Sequence, residues 1–162
     1  MVVKPQHSPF PLLLAALVFV ACSAAFVHRV RPSTAHTSSS VDLVAFAAMQ
    51  GSFRAAETPV QGGFRIHQEG SQLVLELSSD FKTNDLAPDL KITFSPSTTP
   101  LATSSPPAYP LRAGSYTVMA PLRSTSGAQR YVIPASIDLP RQGSILIWCE
   151  KFNATMAWAP LK

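Results

Sequence analysis

From Gly51 onward, apolar and polar residues alternate with a period of two. Leu73, Leu75 and Leu77 fall on one face of an extended segment, with Val74 and Glu76 on the other. Leu90, Ile92 and Phe94 alternate with Lys91, Thr93 and Ser95, which predicts a half-buried strand with one wet face. Further strands are expected over residues 64–68, 116–120, 130–133, 144–149 and 155–159, separated by Gly, Pro, Asp and Asn clusters. The 144–149 segment differs from the rest. Ile145, Ile147 and Cys149 point one way and Leu146 and Trp148 the other, so both faces are apolar and a central strand buried on both sides is predicted. Residues 95–110 hold five prolines among several Ser and Thr and read as a long mobile loop. Nothing after Gly51 sustains helical periodicity, so the fold class is all-β, an antiparallel sandwich or barrel.

The N-terminus follows another rule. Lys4 and His7 precede an uncharged apolar stretch over residues 10–27, the form of an export signal. Three outcomes are open. Phe19-Val20-Ala21-Cys22 resembles a lipoprotein box, with Cys22 the lipidated residue; a peptidase could cut after Ser23-Ala24-Ala25; or the stretch stays as an anchor, near the lower limit of about 20 residues for a span. Each implies a membrane at some stage and an extracytoplasmic domain, in the cell envelope or periplasm. Residues 32–40 read as a Ser/Thr-rich stalk. Ser40 then fits the N-cap of a short helix over 41–50, stopped by Gly51, in competition with a first strand through 43–46. The expected organisation is thus a signal or anchor over 1–27, a linker over 28–50 and a β domain over 51–162.

Composition narrows the function classes. Fifteen prolines and few charges fit a loop-rich β protein with a packed core. The thirteen Lys and Arg residues are scattered among nine acidic ones without a basic stripe, which argues against nucleic acid as a partner. No Ser-His-Asp set, phosphate loop or carboxylate pair points to a conventional enzyme. Asp80, Asp89 and Asp138 sit beside turns, where Asp usually caps backbone amides.

Cysteine chemistry remains. With Cys22 in the N-terminal segment, the folded part carries one unpaired thiol, Cys149, between Trp148 and the opposite charges of Glu150 and Lys151. A lone thiol makes no intrachain disulfide, but it can form a sulfenic acid, a mixed disulfide with a partner, or a transient radical. The bland reading is a small buried hydrophobe. Trp148 and Tyr131 are candidate relays for electrons, against the plainer reading of core aromatics with hydrogen-bonded tips. His67, Met119 and Met156 are conceivable haem ligands, yet their spacing gives no haem site, and His7, His28 and His36 lie in the N-terminal segment, so neither a cofactor nor a metal cluster is expected. Asn153-Ala154-Thr155 fits a glycosylation sequon and, alternatively, a strand start.

The motifs form an ordered series: Gly51-Ser52-Phe53, Asp80-Phe81-Lys82-Thr83, Pro88-Asp89-Leu90-Lys91-Ile92, Gly127 to Pro134, and Ile147-Trp148-Cys149-Glu150-Lys151-Phe152-Asn153-Ala154-Thr155. This series resembles the DM-thirteen domain, the electron-transfer domain type found in the animal protein Skeletor, over residues 51–162. The ending and the N-terminal signal look most like stand-alone bacterial versions, cyanobacterial ones among them. The resemblance implies a β-sandwich whose signature cysteine, here Cys149, acts in redox chemistry with an unidentified protein partner. Ala87 stands where the family often has Gly, at a turn that positive φ would strain, and Thr58 or a neighbour replaces a first-loop histidine. The expected function is an exported or membrane-associated accessory redox module using Cys149. The alternative is a non-catalytic cell-envelope binding or structural sandwich. The first requires that the sulfur can meet an outside reagent.

Overall fold

In the computed structural model, which describes residues 46–162, two antiparallel sheets face each other around a single apolar core. The strands are β1 (Met49–Ser52), β2 (Arg54–Ala55), β3 (Gly63–Glu69), β4 (Gln72–Leu77), β5 (Leu90–Ser95), β6 (Thr117–Pro121), β7 (Gln129–Ile133), β8 (Ser144–Cys149) and β9 (Ala154–Pro160), with one 3-10 turn at Leu139–Arg141. The first sheet runs β1-β3-β4-β7 and the second β2-β9-β8-β5-β6. The all-β sandwich expected from the alternation is therefore the observed fold. The expected signal, the lipidation site Cys22 and the stalk lie outside the described residues. Among the described residues no helix is long and apolar enough to cross a membrane.

The start of the domain corrects the expectation. Met49 and Gln50 belong to strand β1, which pairs Met49 with Ile66 and Gly51 with Phe64, so the helix predicted over 41–50 does not reach its expected end. Long-range pairing outweighs the local helix preference of a short Ala-rich segment. The chain then changes sheets at one residue. Ser52 pairs in the first sheet and Arg54 in the second, with Phe53 between them turned into the core. There Phe53 meets Phe81 edge-on at 5.6 Å and Phe64 at 5.9 Å. Two of the sequence motifs thus mark one aromatic corner that joins the sheets.

Strand β8 lies in the middle of the second sheet between β9 and β5, and all six of its residues are buried. Ile145, Ile147 and Cys149 enter the inter-sheet core, while Leu146 and Trp148 form a second cluster on the outer face with Leu111, Leu101, Tyr116 and Trp158. That outer cover comes from residues 96–116, the proline-rich segment. It is irregular, as its prolines require, and it packs across the sheet.

This cover explains a second correction. Thr93 and Ser95 of β5 were expected on a wet face, yet they are 0 % and 3 % exposed. Ser95 Oγ donates to Ser115 O at 2.9 Å, and Gly143 N donates to Ser95 O at 2.8 Å. The close approach needs Gly143, since a Cβ there would lie 2.5 Å from Pro96 O.

Asn153 fastens the cover to β8. Its Oδ1 accepts from Trp148 Nε1 and from Leu111 N, both at 3.0 Å, and its Nδ2 donates to Leu111 O at 3.1 Å. The residue has φ 46 in the β8–β9 hairpin, a left-handed conformation that Asn tolerates better than most residues. The sequon is therefore structure at a strand start, with its amide group occupied inside the fold.

Two substitutions test this packing by chemical denaturation. Trp148→Ala should cost about 3–5 kcal/mol. Asn153→Ala should cost on the order of 1–3 kcal/mol for each of the two donors it strands, whereas Phe152→Ala, beside it but 62 % exposed, should cost far less. Equal costs for Asn153→Ala and Phe152→Ala would contradict the fastening role.

Candidate functional site

Cys149 ends β8, paired with Leu90 on one side and Ala154 on the other. Its position at the strand end, facing inward, follows from the two-residue period that also buries Ile145 and Ile147. It is the free cysteine of the described residues, and none of its surface is exposed. The sulfur donates to Pro88 O at 2.8 Å. Pro88 itself is exposed, as are Asp85, Leu86 and Asp89. The thiol therefore lies one residue beneath the surface, under a turn over residues 84–89. Direct attack from the closed fold is sterically excluded.

The turn is held by identifiable bonds. Asn84 Oδ1 accepts from Leu86 N at 2.9 Å, and Glu150 N donates to Asp89 O at 3.2 Å. The positive φ expected as strain at Ala87 falls instead on Asp89, at 59°. The Asp89 side chain caps nothing; it pairs with Lys91 Nζ at 2.6 Å, and Glu150 approaches the same ammonium at 3.3 Å. Asp138 likewise makes no side-chain cap at its 3-10 turn, so the capping role read for the aspartates is corrected in both cases. Glu150 is engaged by Lys91, and the Lys151 ammonium lies 5.7 Å from the centre of the Phe152 ring, so both charges flanking the cysteine have other partners.

The structure separates the two aromatic relay candidates. Tyr131 lies in the inter-sheet core with Cys149. Its hydroxyl accepts from Arg123 N at 3.0 Å and donates to Gln129 Oε1 at 2.6 Å, beneath the Arg123 guanidinium at 4.5 Å. Trp148 lies on the other face of β8, 4.8 Å from Tyr116 between ring centres. The two rings thus belong to different clusters, one on each side of the second sheet. Of the aromatic neighbours that the sequence analysis missed, Trp158 is brought to Trp148 by the β8–β9 pairing and Tyr116 by the irregular cover that ends just before β6.

The conceivable haem ligands do not converge. Met156 is buried between the sheets, where Thr58 Oγ1 and Asn84 Nδ2 approach its sulfur at 3.8 and 4.0 Å, and His67 is on the outer face of the first sheet. Thr58 and Asn84 also line a surface hollow of about 360 Å³ with Pro59, Val60, Gln61, Lys82 and Thr83. A different grouping, invisible in the sequence analysis, joins His67 to Glu69 and Glu76, with one ligand atom from each lying within 4.8 Å of the others. Glu69 shares the His67 face by the two-residue period, but Glu76 reaches it only through the β3–β4 pairing.

The Lys91 cluster makes a prediction. Its hydrogen bond to Asp89, and after that Glu150, holds the ammonium above the usual lysine range. A raised folded-state value means the contribution is complete below the unfolded lysine's pKa and is lost as pH rises through the folded one. The stability difference between the wild type and Lys91→Met should stay constant through neutral and mildly alkaline pH and shrink only in strongly alkaline solution. A difference already gone near neutrality would contradict the assignment.

Comparison with curated proteins and with solved structures gave no match. One family profile, described as "Electron transfer DM13", matches residues 52–161. That match spans the sandwich from the aromatic corner through the Cys149 strand to the end of β9. The chain therefore belongs to the DM13 electron-transfer family.

Proposed function

We propose that this protein is an exported, membrane-associated accessory redox module in which Cys149 exchanges electrons with a protein partner after the 84–89 turn opens. One observation carries this reading: the domain's thiol is anchored to the carbonyl of an exposed residue, Pro88, in a short irregular segment at the surface. Turns of this kind open locally at lower free energy than the whole fold. Export and membrane association rest on the apolar segment over 10–27, and the electron-transfer role rests on the family.

The chemistry balances as follows. With the turn displaced, the thiol loses its proton to solvent and the sulfur attacks one sulfur of a partner's disulfide. That S–S bond breaks, a mixed disulfide forms, and the departing partner thiolate takes up a proton. Cys149 has no second thiol among the described residues, so a dithiol of a second protein resolves the mixed disulfide: one of its thiolates takes the Cys149 sulfur and releases the first partner fully reduced, and its other thiolate then closes a disulfide and frees Cys149 as a thiol. The module therefore passes on the oxidising equivalent instead of storing it as its own disulfide. Tyr131 and Trp148 serve the packing that holds the sulfur in place.

A second reading has its own observation. The complete burial of the sulfur and the hollow beside Thr58 and Lys82 fit a binding or structural module whose cysteine only packs.

Incubation of the native full-length protein with glutathione disulfide, followed by intact-mass analysis, separates the two. In a Cys22→Ser background, the redox reading predicts a single glutathione adduct on Cys149, absent when Cys149 is also changed to Ser, with a rate well above that of global unfolding. Asp89→Asn, which loosens the turn, should raise that rate several-fold. An adduct that forms only as fast as the protein unfolds would leave the packing reading.

A further inference from the structure

On the outer face of the first sheet, His67 and Glu69 of β3 stand beside Glu76 of β4. The imidazole is held edge-on between two carboxylates: Nε2 lies 2.9 Å from Glu69 Oε1, and Nδ1 lies 3.9 Å from Glu76 Oε2. Glu69 also contacts the Arg130 guanidinium. Glu69 thus accepts from Arg130 on one oxygen and faces Nε2 with the other, so Nε2 donates to it.

In the neutral imidazole this fixes the other nitrogen as a lone pair. Nδ1 is buried and has no hydrogen-bond partner. It faces a second acceptor, the Glu76 carboxylate, across a gap too long for a hydrogen bond. Two acceptors 3.9 Å apart make an unfavourable arrangement unless something positive sits between them. The ligand chemistry is specific. One imidazole nitrogen and one carboxylate oxygen suit a borderline divalent ion, and a carboxylate on the far imidazole nitrogen is the usual outer support of such a ligand. Two ligands on a tetrahedral zinc-type ion are about 3.4 Å apart. The Glu76 side chain, 39 % exposed, can close the remaining distance by rotation.

We infer that His67 Nδ1 and Glu76 form a site for a zinc-class divalent ion, with water completing its shell from the exposed Glu76 side and Glu69 orienting the imidazole. Arg130 is engaged by Glu69, and Arg65 stands opposite Glu76 in the β3–β4 register. Those two charges keep the affinity modest. The site lies on the sheet that does not hold Cys149, so it is independent of the redox reading.

Zinc(II) chloride titration of the full chain tests this, in a background where His7, His28 and His36 are changed to Gln so that His67 is the remaining histidine. Zinc should raise the melting midpoint of the β domain and shift the Nδ1 resonance of His67 in imidazole nitrogen NMR spectra. His67→Gln should abolish the melting shift, and Glu69→Gln should weaken half-saturation roughly tenfold, as loss of an outer partner does. The NMR readout needs no variant at the site and stands even where His67→Gln folds poorly. An Nδ1 resonance that zinc leaves unmoved, or one that responds to pH alone because a proton fills the gap, would overturn the assignment.

Discussion

Burial of one strand on both faces is the constraint on which the molecule depends. Ser144–Cys149 carries apolar side chains in both directions, so a sheet face that would ordinarily meet water must be covered. The inner side chains are satisfied by the opposing sheet. The outer ones need an extra layer, supplied by the irregular segment over 96–116, because a proline-rich chain can lie across a sheet without joining it. Once that layer exists, Thr93 and Ser95 are buried with it, Gly143 must be small, and Asn153 must hold Leu111 against Trp148.

The same constraint places the thiol. A strand with a strict two-residue period puts Cys149 on the core side at its last position, where the sheet ends and only a turn closes the core. The Pro88 carbonyl takes the thiol proton's hydrogen bond, and the Asp89–Lys91–Glu150 cluster ties the turn down from outside. Exposed ion pairs of this kind contribute little to overall stability. On the proposed reading, their effect falls on one short segment, and so on how often the sulfur is uncovered. A mechanism that needs an accessible thiol is compatible with a fully buried one only through such a segment.

Much of this was legible in the chain. The alternation of Leu73, Leu75 and Leu77 and of Leu90, Ile92 and Phe94 located strands, and the apolar run ending in Trp148 and Cys149 identified the central one. Period-two reasoning works wherever a strand borders the core. It failed where the deciding partner is distant in sequence. Met49 and Gln50 look helical until β3 pairs with them, and Ser95 looks wet until Ser115, twenty positions later, folds over it. The site was legible to the same degree. Cys149 was visible as the lone thiol, but Pro88 as its cover was not, since that contact joins residues 61 positions apart. His67 with Glu76 was hidden for the same reason, needing the register of a hairpin rather than any local spacing.

The most direct test is the denaturant dependence of Cys149 modification by a fast thiol reagent, measured on the native full-length chain well below its unfolding midpoint. Opening of the 84–89 turn exposes little surface, so the account predicts a labelling rate almost flat in denaturant that steepens only near the global transition. A rate that climbs from zero denaturant with the full slope of global unfolding would mean the sulfur emerges only when the sandwich comes apart, contradicting a redox role for it.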